Sequence, residues 1–320
     1  MFFGIAAFMN REAAVGYYKL FDRIFWLNFA VSLIQYFFFN LEQDFLGGIF
    51  GVQSGCNAFQ NIFCLIIVAK SIVFYLDKKE SALACICKCM ASLVIAALAE
   101  LKFYFVEFLM VSALAVLFSG FTWRKLGVIL GGCIAAFSGA ALLTIVFPSF
   151  TDWFSIRWFL EIATESRGYT ATGDLNRLTA IGSINELWLR NMGQRLFGLG
   201  LGNCETSSFE SLNTPFYQNN GYMHYNWISY AHMYLECGWI GLIFFFGFFA
   251  IVFIRLQRIK KQADSMMKSY CRLAQIIAMM SVVIAVYNSS LRFESAYMLY
   301  FTLAVPFAMI RQRNSNPMQV

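Results

Sequence analysis

Eight apolar runs set the terms for this chain: residues 23–40, 58–76, 82–99, 101–119, 126–147, 231–254, 271–289 and 295–310. A stretch of about 17–25 apolar residues is long enough to cross a bilayer as a helix. Inside lipid every backbone polar group must be satisfied within the protein, so such runs are read as helices. Only 13% of the 320 residues are charged, against about 25% in a soluble domain. The expected fold is therefore all-α: a polytopic membrane helix bundle of about eight transmembrane helices, one integral membrane domain over 1–320. One large polar insert, 148–230, interrupts it. The first ten residues are apolar but lack the basic start of a cleavable signal peptide.

Lysine and arginine placement gives an orientation. Arg255, Arg258, Lys260, Lys261, Lys268 and Arg272 follow the sixth run, which puts that segment in the cytoplasm. Alternation then places both termini inside and the insert outside. Fifteen Lys/Arg fall inside and seven outside, while Lys70 and Lys88 lie within helices, near enough to the inner face to snorkel. The net charge of +6 is accounted for by this anchoring pattern, so nucleic acid is not an expected partner and membrane lipid is. Of nine cysteines, only Cys56 and Cys204 fall clearly outside, which leaves a disulfide open without implying one. Cys85, Cys87 and Cys89 alternate along a helix and do not converge on a metal; they read as small packing residues.

The insert carries Arg157, Arg167, Arg177, Arg190 and Arg195, and no lysine. Arginine offers a fixed fork of donors that matches phosphate oxygens. A short interfacial helix is expected from Trp153 to Ala163, capped by Asp152, with a break over Gly168 to Gly173. A second helix, capped by Asp174, is expected to run to about Met192 and to bury Leu178, Ile181, Ile184 and Trp188. Arg177 falls on that apolar stripe and needs a partner, either a substrate phosphate or a structural carboxylate. Arg190 falls opposite, four residues after Glu186, as a solvated helix ion pair would. Arg195 stands just before Phe197-Gly198-Leu199-Gly200-Leu201-Gly202-Asn203, where glycines let a backbone approach a ligand closely; a plain turn is the other reading.

His224 and His232 are the only histidines. They are eight residues apart, about 80° round a helix. Histidine is the usual proton acceptor near neutral pH, and Glu236, one turn after His232, can orient its imidazole. An interfacial polar anchor is the alternative for either. Glu42 and Asp44 form the only acidic pair with metal-like spacing, a weak signal without further ligands. Glu100 and Lys102 pair with each other, end the flanking helices or line a site. Arg292, before Glu294, is a positive charge on the disfavoured outer side and suits phosphate binding.

Several pieces together resemble the O-antigen polymerase and ligase superfamily of bacterial polysaccharide assembly. They are Arg177 followed by Trp188 and the glycine run, then the histidine-bearing entry to a helix ending Glu236-Cys-Gly238-Trp-Ile-Gly241. Gln35-Tyr-Phe-Phe-Phe, Asp44 with Gly47-Gly-Ile-Phe-Gly51, Ala99-Glu-Leu-Lys102 and Asn288-Ser-Ser-Leu-Arg292 add to it. The resemblance implies a metal-independent membrane glycosyltransferase without cofactor, at the outer face of the bacterial inner membrane. Its substrate would be an undecaprenyl-diphosphate-linked oligosaccharide, and its partners a chain-length regulator and a flippase. Arg177, Arg292 and Arg195 would bind the diphosphate beside Gly198, Gly200 and Gly202. His232 first, or His224, would be the base, with Glu236 to orient it.

Ligases of that superfamily tend to place a histidine at a fixed distance before Gly-x-x-Gly. Here His224 lies three residues early and His232 five late, which favours a repeat-unit polymerase over a ligase acting on lipid A core or protein. Relatives commonly carry ten or more membrane helices, so eight would mean missing N-terminal ones. A lipid-linked oligosaccharide flippase is the alternative of another class, although transporters usually place polar residues midway through broken helices.

The topology is testable with Ser207→Cys and Ser265→Cys, each in a background lacking the native exposed thiols. An impermeant thiol reagent should label position 207 and spare 265 in intact cells; the reverse pattern would overturn the orientation.

Overall fold

The computed structural model describes residues 1–120, 123–146, 173–293 and 295–315. The interfacial helix expected at Trp153 to Ala163, with Arg157 and Arg167, lies outside them, as does Glu294. The described residues are helical throughout, joined by turns and 3-10 segments. They form α1 (Phe2–Phe8), α2 (Arg11–Phe39), α3 (Asn57–Leu76), α4 (Ala82–Leu98), α5 (Tyr104–Phe118), α6 (Arg124–Val146), α7 (Ala180–Leu187), α8 (Met192–Phe197), α9 (Pro215–Asn220), α10 (Ser229–Gln262), α11 (Ser265–Tyr287) and α12 (Ala296–Ser315). Every apolar run of the sequence coincides with a helix. Three of these, α3, α10 and α11, are long and apolar enough to cross a membrane. α4, α5 and Ala296–Arg311 are shorter apolar helices.

The chain divides into two compact units. The first comprises Met1–Ser149, Val252–Met280 and Ser295–Val320; the second comprises Phe150–Ile251 and Ser281–Glu294. In the first, α3 is the hub, packed by α4 and α5 and also by α2 and α12. Ile62, Leu65, Ile66 and Ile67 are fully buried along it. Helix starts follow local chemistry: Asn10 caps α2 by accepting from the Ala13 amide at 2.7 Å, and Ser81 caps α4. α10 runs on to Gln262, so Arg255, Arg258, Lys260 and Lys261 belong to its last turns and not to a loop. The nine cysteines are free thiols, with Cys85 and Cys89 buried and Cys87 exposed.

An irregular segment, residues 43–51, is held by amide side chains from α2 and α3. Gln35 donates to the Gly48 carbonyl at 2.8 Å and accepts from the Gly48 amide at 2.7 Å. Asn28 accepts from the Ile49 amide at 3.0 Å and donates to Gln60 at 2.7 Å. Gln60 in turn donates to Ser32 and to the Leu46 carbonyl. A Cβ on Gly48 would stand 2.2 Å from the Asn28 oxygen, so only glycine fits. Asn28, Ser32, Gln35 and Gln60 thus all find partners, as polar groups beside irregular backbone in apolar surroundings require.

Lys70 and Lys88 do not snorkel. Both are buried and both pair with Asp22 of α2. Lys88 also meets Glu80 at 3.0 Å, and Glu80 accepts from Ser71 at 2.6 Å. The reason is that Asp22 and Glu80 lie within reach, so pairing satisfies the ammonium groups without stretching the stems to solvent.

In the second unit, the helix expected from Asp174 to Met192 is shorter. The Asn176 side chain accepts from the Leu178 amide at 2.8 Å, an Asx turn that holds 176–178 out of the helix. α7 therefore begins at Ala180, and Asp174 is not its cap. Leu178 is consequently exposed, and Arg177 lies in the turn and not on a helix stripe. At the other end, Asn191 and Gln194 form a reciprocal capping box that starts α8 as a separate helix. The core packs Ile184, Leu189, Tyr225, Tyr234 and Leu235 together. Trp188, Phe216 and Tyr225 meet edge-on or tilted at 5.4–5.8 Å.

Removing Asp22 would strand the buried ammonium of Lys70 and leave Lys88 with Glu80 alone. Asp22→Ala should cost about 3–5 kcal/mol, read as a fall in apparent melting temperature of the detergent-purified protein. A variant with Asp22→Leu, Lys70→Met and Lys88→Met together should lose less than Asp22→Ala alone.

Candidate functional site

The second unit gathers its ionisable side chains around a break in α10. Gly238 has φ 62° and ψ −160° inside that helix, a conformation side-chain-bearing residues avoid. At this kink the carbonyls of Leu235 and Glu236 accept from the amides of Leu199 (2.9 Å) and Gly200 (3.0 Å). The glycine run thus lies directly on the helix. A Cβ on Gly198 would come within 2.3 Å of the Glu236 carbonyl, and one on Gly238 within 2.4 Å of Leu196. Of the run, Gly198 provides a close backbone approach, and the surface approached is α10; Gly200 and Gly202 face open space. Gly200 and Gly202 also have positive φ, 102° and 76°.

Beyond the kink, the loop wraps the Glu236 side chain. One carboxylate oxygen accepts from the Gly202 amide at 2.9 Å and the Cys204 amide at 3.2 Å. The same oxygen is 3.4 Å from His232 Nε2, one helical turn earlier. A second carboxylate, Glu205, lies 3.5 Å from the same nitrogen. Glu205 also forms an ion pair with Arg292, whose Nη1 donates to the Asn226 carbonyl at 3.2 Å. His232 is 2% exposed, and the Tyr225 ring stacks on it. Burial works against the charge on Arg292 and lowers its pKa, opposed by Glu205 and then Glu236.

Four groups therefore converge: His232, Glu236, Glu205 and Arg292. They come from the start of α10, the loop after the glycine run and the turn after α11. The spacing of His232 and Glu236 made their meeting legible in the sequence. Glu205 was not singled out there. Its one local signal is a carboxylate three residues after the last glycine of the run, and its partners lie 27 and 87 positions further on. Asn226 was missed likewise, because it acts through its carbonyl.

The remaining candidates are engaged elsewhere. His224 adopts φ 50° and stacks face to face on Trp227 at 3.8 Å. Arg195 donates to the Leu189 carbonyl at 3.0 Å. Arg177 donates to the Tyr287 carbonyl at 2.6 Å and lies over the Tyr287 ring, while its own carbonyl accepts from Tyr230. These bonds tie the turn before α7 to the end of α11. Arg190 is exposed. In the first unit, Asp44 accepts from Asn57 at 2.9 Å and Glu100 from Gln43 at 2.8 Å. Burial raises the pKa of Glu100, against its bond from Gln43 and the charge of Lys102. Among the described residues no three His, Cys, Asp or Glu side chains are grouped to hold a metal ion.

Chemically, the cluster can hold an anion on a desolvated guanidinium and take up a proton on an imidazole flanked by carboxylates. Its frame is the glycine contact, which substitution can probe. Gly198→Ala and Gly238→Ala should each cost about 1–3 kcal/mol or more, lowering the apparent melting temperature. Gly182→Ala, in the exposed body of α7 with open space around it, should gain about 0.5–1 kcal/mol. No known family model matches this chain, and comparisons with curated proteins and with solved structures return no match.

Proposed function

We propose that the protein polymerises polyprenyl-diphosphate-linked oligosaccharide repeat units at the outer face of the bacterial cytoplasmic membrane. In this reading the eight apolar helices span the bilayer, both termini are cytoplasmic and the 148–230 insert is exoplasmic. The observation that carries it is one cluster in which His232, with two carboxylates 3.4 and 3.5 Å from its Nε2, adjoins the half-buried guanidinium of Arg292. Glycosyl transfer from a lipid diphosphate needs both functions. A cation stabilises the charge that develops on the leaving diphosphate, and a base takes the proton of the acceptor hydroxyl. The resemblance of the glycine run and the Glu236-Cys-Gly238 segment to the polymerase superfamily supports the same reading, as do the apolar helices.

Residue roles follow from position. Arg292 is the diphosphate-binding residue, His232 the base and Glu236 its positioning residue. Arg177 and Arg195 each give Nε to a backbone carbonyl, and their Nη groups are the further candidates for the diphosphate. No step calls for a divalent metal.

Purified protein supplied with lipid-linked repeat units in chelator should make polymer. His232→Ala should reduce the rate roughly a hundred- to ten-thousand-fold. Arg292→Lys should also be impaired, because it keeps the charge and loses the planar fork. The comparison is made at matched membrane abundance. Normal polymer from both variants would remove the assigned site, and activity restored only by magnesium or manganese would remove the metal-independent route.

A further inference from the structure

Glu205 occupies the position that a phosphorylated ligand would need. Its Oε2 contacts both groups that the proposed chemistry uses, the Arg292 guanidinium and Nε2 of His232. We propose that Glu205 is a resident anion in the diphosphate site, holding Arg292 and covering His232 until the ligand's phosphate displaces it. The idea rests on the polymerase reading for the ligand's class, and on geometry for the exchange.

Four features make Glu205 the member that can leave. Its side chain is 39% exposed, whereas those of Arg292, Glu236 and His232 are 11%, 10% and 2% exposed. Solvent therefore reaches the cluster through Glu205. Arg292 keeps a second anchor in the Asn226 carbonyl, so its guanidinium stays aimed at the vacated place. Glu236 is fixed separately by the amides of Gly202 and Cys204, so the imidazole keeps its orienting partner. The other oxygen of Glu205 only accepts from the neighbouring Thr206 amide, at 3.3 Å. That contact is local and can turn with the side chain.

The exchange also has a direction. A half-buried arginine left without an anion is costly, which favours Glu205 staying in place until another anion arrives. A diphosphate brings more negative charge and more acceptor oxygens than one carboxylate, and so replaces it favourably. The same movement exposes Nε2 of His232. Ligand binding and uncovering of the base thereby become one event, and water meets a covered base when no donor is present.

The probe is inorganic pyrophosphate, titrated calorimetrically into the full-length protein in detergent. Glu205→Gln removes the competing charge at nearly constant shape and should bind pyrophosphate at least about tenfold more tightly than wild type. Glu205→Asp shortens the reach to Arg292, retains the charge and should also bind more tightly; it carries the test if Glu205→Gln does not fold. Adding Arg292→Lys to either variant should reverse the gain. Equal or weaker binding by the Glu205 variants would overturn the proposal. Polymer formation alongside unchanged pyrophosphate affinity would overturn the resident-anion role alone. Tighter binding with no polymer from any variant would support that role and remove the polymerase reading.

Discussion

Glu236 is the contact on which the second unit depends. Its backbone carbonyl takes the Gly200 amide, its side chain takes the amides of Gly202 and Cys204, and Gly198 lies against its peptide. One residue thus fastens a loop some 35 positions earlier in the chain to a broken helix. The constraint behind this is the general one that buried polar groups must be paired. A kink frees helix carbonyls, and a glycine loop with forward-facing amides is the nearest device that can satisfy them. The carboxylate that the loop fixes thereby comes to lie 3.4 Å from the His232 imidazole.

Much of the helical architecture was legible, since an apolar run is a direct statement of what must be kept from water. Helix ends were less so. The Asp174 start failed because Asn176, two residues on, offers its own backbone an Asx turn, a competition that hydrophobic periodicity does not register. Lys70 and Lys88 were read by the nearest interface, whereas the deciding fact was Asp22, 48 and 66 positions away. Sequence patterns report neighbours at three and four residues well. They carry no information about which distant side chain will arrive alongside.

The same limit applied to the site. His232 and Glu236 are one turn apart, so their proximity needs only a helix. The glycine run suggests a close approach of backbone, which Gly198 makes, but composition does not name what is approached. Glu205 stood unmarked because a lone acid after a turn looks like any solvated loop residue. Its importance arises from Arg292, which reaches it from a different segment. Arginine in the outer parts of the chain proved to have two uses. Arg292 holds a carboxylate, while Arg177 and Arg195 hold carbonyls.

The segment 43–51 is fastened by different means. Gln35 meets the peptide at Gly48 as one peptide unit meets another in a sheet, giving and receiving a hydrogen bond through one amide. Asn28, Ser32 and Gln60 complete the hold with neutral groups only. None of these side chains titrates, and none relies on long-range attraction between charges. These particular contacts depend on no charge, whereas the Asp44–Asn57 and Glu100–Gln43 bonds beside them and the Glu205–Arg292 pair do. Within one polypeptide, irregular backbone is thus fastened chiefly by amides in one place and by ions in another.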